Sequence, residues 1–308
     1  MKIAIHDSNN GKFSNVLKTH WTEQGHEILY APLWDPRICE QADVIFVDWA
    51  DLSIARMANP DDEFYKQYNC TYPIGKNIIL RAHDIDIWCA GLDHIRPNFV
   101  KHLVFVAEHT YEQAKKQNDI LGGAQVHIIP HGIDTERFTL RKQQRGSKKI
   151  GWVGRYDHNK LPEIALMVLS ELPRDYTLYI CGRRSQPAWQ EAYWTDYINK
   201  NQLSVVFQSD IPDMNEWWED KDYCLLTSQK EAFSYSTAEA MAKGVKPIIH
   251  RFYGSDTVWP EDFIWDRISQ AKEMILSDDY RPELYRGYIQ KRYPIDKFFE
   301  AYDKLLVT

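Results

Sequence analysis

The chain has 308 residues, more than one ordinary core accommodates, and this length suits two domains of about 150 residues each. Hydrophobic residues make up 44% and charged residues 26%, no apolar run reaches the roughly 20 residues that span a bilayer, and MKIAIHDSNN lacks a secretory signal's apolar stretch, so a cytoplasmic location is expected. The formal net charge of −7 is concentrated in residues 1–140, where 13 Lys/Arg face 19 Asp/Glu, and this acidity weighs against nucleic acid or an anionic membrane as the main partner.

From the amino terminus, apolar runs rich in β-branched residues recur at 3–5, 27–30, 44–47, 78–80, 103–106 and 126–129. Residues 13–24, before Gly25, and 108–118 carry amphipathic helical patterns. The first half therefore reads as alternating β and α units on a parallel, doubly wound sheet. Residues 140–149, LRKQQRGSKK, are polar with almost nothing to bury, and are the expected linker. The rhythm then restarts: strand 150–153, helix 161–172, strand 177–181, helix 189–199, and strands 205–208 and 223–226.

Residues 231–249, EAFSYSTAEAMAKGVKPII, combine two carboxylates, a hydroxyl-rich turn, a short helix and a buried strand. Small apolar residues after the turn favour helix, and Gly244 stands where a left-handed cap is wanted. The helix start offers unpaired N–H groups and partial positive charge, so Ser236 and Thr237 sit where a phosphate binds. Residues 282–306 read as helix interrupted near Pro294, with Phe298, Phe299, Tyr302, Leu305 and Leu306 at helical spacing. The expected division is an amino-terminal Rossmann-like domain at 1–142, a second at 148–285, and a helix at 286–308 returning to the first. The five cysteines, Cys39, Cys70, Cys89, Cys181 and Cys224, are scattered, odd in number and lack C-x-x-C, which indicates neither a disulfide framework nor a zinc knuckle.

Together with IPHGIDTERF (129–138), GWVGRYDHNKLPE (151–163) and the final helix, this stretch resembles retaining glycosyltransferases of the GT-B fold. The resemblance is to glycosyltransferase family 4, also called glycosyl transferases group 1. It implies an α/β chain of two facing Rossmann-like domains with a cleft between them, the first binding the acceptor and the second a nucleotide sugar. It further implies that Arg155 and Lys160 hold the donor diphosphate, that Glu239 accepts hydrogen bonds from the ribose, and that Glu231 contacts the transferred sugar. Backbone groups of Phe233, Ser234, Tyr235 and Ser236, with Thr237, would hold sugar hydroxyls and phosphate oxygens. Gly11, between Asn10 and Lys12, matches the reduced glycine loop of the first domain. His83 matches the family's His near the reacting carbon, orienting the acceptor or meeting the donor sugar.

Leu161 stands where the family usually has Gly, and Ser234-Tyr235 where it has Gly-Leu, so the sugar stays open. Arg183 with Arg184, and Asp210 with Ile211, lie at strand ends where a base is read, without deciding between UDP-sugar and GDP-sugar donors. Asp84 and Asp86 form a D-x-D, a common pattern; with phosphate ligands supplied by the second half, no metal and no further cofactor is expected. Trp49, Trp88 and Trp259 are candidate sugar platforms. The acceptor is a glycan, a small molecule or another hydroxyl compound. Other readings stay open: a nucleotide-sugar-binding protein without turnover, a sugar-phosphate epimerase or phosphorylase of the same fold, and a transferase acting on nucleic acid.

Overall fold

The computed structural model describes residues 1–51, 63–73, 75–88, 91–95, 98–117, 123–142, 145–183, 187–209 and 211–308. Cys89, Arg184 and Asp210 lie outside the described residues. The chain divides into two compact units, Met1–Pro130 with Asp296–Thr308, and His131–Ile295. No helix among the described residues is long and apolar enough to cross a membrane.

The first unit is built on a six-stranded sheet of order β2-β1-β3-β4-β5-β6. Its strands are β1 (Lys2–Asp7), β2 (Glu27–Ala31), β3 (Val44–Asp48), β4 (Asn77–Ala82), β5 (His102–Phe105) and β6 (Gln125–Ile128). All pairings are parallel. Strands β3 and β5 are buried throughout, which is why they read as continuous apolar runs rather than alternating ones. The last helix, Ile295–Leu306, buries Phe298, Tyr302, Leu305 and Leu306, a stripe at helical spacing. Tyr302 meets Phe46 of β3 edge-on at 5.9 Å, and Asp303 accepts a hydrogen bond from the Trp21 indole at 3.0 Å.

The second unit repeats the plan with β7 (Lys149–Val153), β8 (Thr177–Cys181), β9 (Ser204–Gln208), β10 (Tyr223–Leu226), β11 (Lys246–His250) and β12 (Ile264–Trp265). Their order is β12-β11-β10-β7-β8-β9, again parallel. Trp152, Leu166, Ile180, Trp194, Leu225 and Ile248 lie in its core. Two glycines are demanded by close approach: a Cβ on Gly182 would lie 1.8 Å from the Gly154 carbonyl oxygen, and one on Gly151 2.4 Å from the Trp218 ring.

The unit boundaries fall at 130/131 and 295/296, not within 140–149. Arg141 is buried, donating to Asp222 at 3.0 Å and to the Tyr280 hydroxyl at 2.7 Å, while Asp222 accepts the N–H groups of Gly146 at 3.0 Å and Lys148 at 2.8 Å. The Arg141 guanidinium and the main chain at 146 and 148 thus converge on one buried carboxylate within the stretch read as a linker. Strand β12 and the helix Ile268–Leu276 go unmarked in the sequence because the stretch ahead of them, RFYGSDTVWPEDF, shows neither period. The helix Pro36–Gln41 did carry a signal: Asp35 caps it by accepting the Arg37 N–H at 2.9 Å, with Pro36 in the first turn.

In open parallel sheets, ligands bind beyond the carboxyl ends of the strands where the strand order reverses. That point lies between β1 and β3 in the first unit and between β7 and β10 in the second.

Candidate active site

Strand β7 runs out at Val153 into Gly154, Arg155 and the turn Asp157–Lys160, while β10 runs out at Leu226 into Thr227 and Ser228. Thr227 ties the two ends together: its hydroxyl accepts from the Trp152 indole at 2.8 Å and lies 2.7 Å and 3.0 Å from the Lys160 and Leu161 carbonyl oxygens. Asp157 accepts the Lys160 N–H at 3.0 Å and the Asn159 N–H at 3.1 Å. The Asn159 amide bonds the Lys230 carbonyl oxygen at 3.1 Å. On this frame the Lys160 ammonium pairs with the Glu231 carboxylate, which also accepts from the Ser228 hydroxyl at 2.6 Å.

Leu161 occupies the left-handed region at φ 48°, ahead of the helix Pro162–Ser170. Glycine adopts that conformation at least penalty, and leucine does so here with its carbonyl held by Thr227. Ser234 is different. Its φ of −104° and ψ of 101° are extended, so a side chain is accommodated where the related pattern has Gly. The Ser234 hydroxyl lies 2.9 Å from that of Thr237 and 3.3 Å from that of Ser236, at the start of the helix Tyr235–Ala242.

The structure brings Lys160 and Glu231 together but leaves Arg155 apart, two-thirds exposed and paired with Asp157 at 3.1 Å. Arg183 is exposed at the end of β8, and Ile211 is partly buried, packed against a core cluster that includes Trp217 and Cys181. Tyr235 packs on His131 at 4.6 Å and on Phe233 at 5.6 Å. Trp259 is corrected from platform to core: it is 1% exposed and packs against Phe233 and Tyr293. Trp88 is 48% exposed.

Glu239 is partly buried, and burial pushes its carboxyl up to about 7; Arg137 opposes this and Asp213 adds to it. Arg137 and Asp213, which pair at 3.4 Å, stand far from Glu239 along the chain, so no spacing pattern joins them to it. The folded state then binds the Glu239 proton more tightly than the unfolded chain, so this group's contribution to stability falls as pH rises from about 4.5 to 7 and stays low above that. Glu239→Gln is expected to raise the melting temperature at pH 8 and to leave it nearly unchanged at pH 4.5. Equal shifts at both values in a calorimetric scan would contradict this.

In the first unit, the switch point carries Asp7 and the turn through Asn10 and Gly11 on one side and Asp48 with Trp49 on the other. Gly11 has φ 79°, a left-handed turn that suits glycine, while Asn10 and Lys12 are exposed. His83 follows β4, and its Nε2 lies 2.7 Å from Asp48, which also receives Arg81 Nε and Nη2 at 2.7 Å each. Burial raises the Asp48 carboxyl, but the Arg81 charge and the hydrogen bonds from Arg81 and His83 outweigh it and hold the group below the usual carboxylate range. Asp86 accepts the His83 N–H at 2.8 Å, and burial pushes it up to about 6. It thereby caps its own helix, Asp84–Trp88. Among the described residues, no group of three His, Cys, Asp or Glu side chains is placed to hold a metal.

Two parallel sheets with helices, each with its ligand point at a strand-order reversal, define the GT-B fold. Residues 134–262, within the second unit, match the family Glycosyl transferases group 1. Over 188 residues the chain is 23% identical to the D-inositol 3-phosphate glycosyltransferase of Jonesia denitrificans, a match covering 54% of this chain and 42% of that protein. The fold is similar to that of Anabaena Alr3699/HepE in complex with UDP-glucose, at TM-score 0.76 and 13% identity over 100% of this chain and 99% of that one. It is equally similar to sucrose-phosphate synthase from Thermosynechococcus elongatus, at TM-score 0.76 and 15% identity over 99% and 98% of the two chains.

Proposed function

We propose that this protein is a glycosyltransferase that moves a sugar from a nucleoside diphosphate donor to an acceptor hydroxyl, keeping the anomeric configuration and using no metal ion. The observation that carries this reading is the Lys160–Glu231 pair, bonded to Ser228 at the reversal point of the second sheet. A fixed cation and a carboxylate there suit a diphosphate and a sugar ring, respectively. The hydroxyls of Ser234, Ser236 and Thr237 and the N–H groups of the helix start add neutral donors for phosphate oxygens. Glu239, a carboxylate acceptor, suits the ribose diol, and Arg155 reaches the diphosphate by giving up Asp157.

As the bond from the anomeric carbon to the phosphate oxygen breaks, charge grows on that oxygen. Lys160 and the amide dipoles stabilise it, and the same phosphate takes the acceptor's proton, so no separate strong base is required. The cations of the protein supply the positive charge that a metal would otherwise bring. His83 orients the acceptor, which the first unit binds. HepE structures hold UDP or UDP-glucose, which makes uridine the first base to test.

Saturating UDP or GDP, at a hundred times its dissociation constant, should add about 2.7 kcal/mol to the folded state, raising the melting temperature by roughly 5–10 °C. A sugar donor of the responding base should then release nucleoside diphosphate and glycoside in equal amounts. No shift with either nucleotide would overturn the reading, and a shift without turnover over an acceptor panel would favour a nucleotide-sugar-binding protein.

A further inference from the structure

Trp49, the residue that follows β3, stands in a conformation that nothing local explains. Its φ is 94°, a region that bulky side chains avoid. Its indole Nε1 is buried with no hydrogen-bond partner among the described residues. Two unfavourable features thus coincide at one position of the switch point. The contact set against them is with His83: the two rings stack with centroids 3.7 Å apart and planes within 16°. Phe13, from the loop after β1, completes the group at 5.2 Å from His83 and 5.6 Å from Trp49.

We infer that Trp49 is a positioning residue that fixes the plane of the His83 imidazole. Asp48 supplies the complementary restraint within that plane. Because Asp48 is an ionised acceptor, the Nε2 that faces it carries the hydrogen, and the bond fixes the ring's rotation and tautomer. The Asp48 bond acts within the ring plane, and the indole face lies against the ring to restrain motion out of that plane. The backbone of Trp49 is held in turn, its N–H donating to the Arg81 carbonyl at 3.1 Å. The left-handed turn aims the indole across the end of β4 at His83, where an extended residue would continue the strand direction.

This role rests on the proposed function, in which His83 orients the acceptor, but its structural half is measurable without turnover. In the full chain labelled with ¹⁵N-histidine, the His83 ring signal, assigned by its disappearance in His83→Gln, should show one Nε2–H tautomer with a slowly exchanging proton. Trp49→Gly, in which φ 94° is unstrained, should keep the cooperative melt yet lose that slow exchange. Trp49→Phe, which keeps an aromatic face, should restore it. With UDP-glucose as donor and glucose as acceptor, Trp49→Gly should lower kcat by about a hundredfold, the effect of a misplaced reacting group, without changing the KM for donor. Trp49→Phe should recover most of that loss. An unchanged ring signal in Trp49→Gly, or wild-type turnover, overturns the inference. Absence of turnover in the wild type with every nucleotide sugar would defeat the proposed function instead, and the ring signal would still decide the role of Trp49.

Discussion

Lys160→Ala is expected to lower turnover by about a hundredfold or more, the loss seen when one donor to a developing oxyanion is removed, on the order of 3 kcal/mol. The substitution removes the ammonium without disturbing its frame, because the Lys160 N–H is held by Asp157 and its carbonyl by Thr227, both through the main chain. Stability should fall to some extent, since the buried Glu231 loses its cation while keeping the Ser228 hydroxyl, and the loss in the folded protein should appear in kcat. Donor KM should rise as well, since Glu231 would face the diphosphate without its cation. Lys160→Arg should recover part of the activity, because the charge returns on a planar fork of different reach. Wild-type turnover in Lys160→Ala, measured as nucleoside diphosphate release, would remove Lys160 from the mechanism.

Arg81→Ala should be the most damaging single change to stability, at about 3–5 kcal/mol, or a fall in melting temperature of roughly 10 °C. Arg81 and Asp48 are both fully buried and joined by two hydrogen bonds of 2.7 Å, so removing the guanidinium strands a carboxylate in the core of the first sheet. Arg81 also packs on Phe46 at 5.3 Å and on Tyr302 of the last helix at 5.8 Å, contacts that the substitution deletes as well. The pH dependence has a defined sign. Asp48 is held low in the folded state, so its stabilisation is present above the ordinary carboxylate value near 4 and is lost as pH falls through the depressed one. The gap between wild type and Arg81→Ala should thus narrow below about pH 4. A paired replacement, Asp48→Leu with Arg81→Met, should restore much of the loss, because a buried ion pair exchanged for apolar groups of similar size is often neutral. Equal instability in the single and the double variant, in denaturant melts, would show that packing rather than the stranded charge sets the penalty.

The alternation of strands and helices was legible because strands of a parallel sheet, buried on both faces, spell unbroken β-branched runs such as VIFV and IIL. The Tyr235–Ala242 helix was legible from its turn residues and from Gly244, which has φ 78° as a left-handed cap requires. Strand register was not. Asp48 and Arg81 face one another across β3 and β4, and a charged residue in each of two buried runs was the one available hint. The bond from Asp48 to His83 joins residues 35 apart and follows from that register alone. For Arg155 the residue type and place were readable, but the capture of its guanidinium by Asp157 depends on the turn's conformation. Glu239 was readable as a ribose acceptor only through the resemblance; its elevated proton affinity comes from burial, which only the packed unit defines.

On the proposed function, the second unit grips a donor diphosphate at the reversal point of its sheet. The most direct measurement is a crystal structure of the chain with bound UDP, or with GDP if that is the nucleotide that stabilises it. Phosphate oxygens are expected within hydrogen-bonding distance of Lys160 Nζ and of the N–H groups that open the helix Tyr235–Ala242, with Glu239 on the ribose hydroxyls. A nucleotide seated elsewhere, with the Lys160–Glu231 pair intact and side chains filling the helix start, would contradict it.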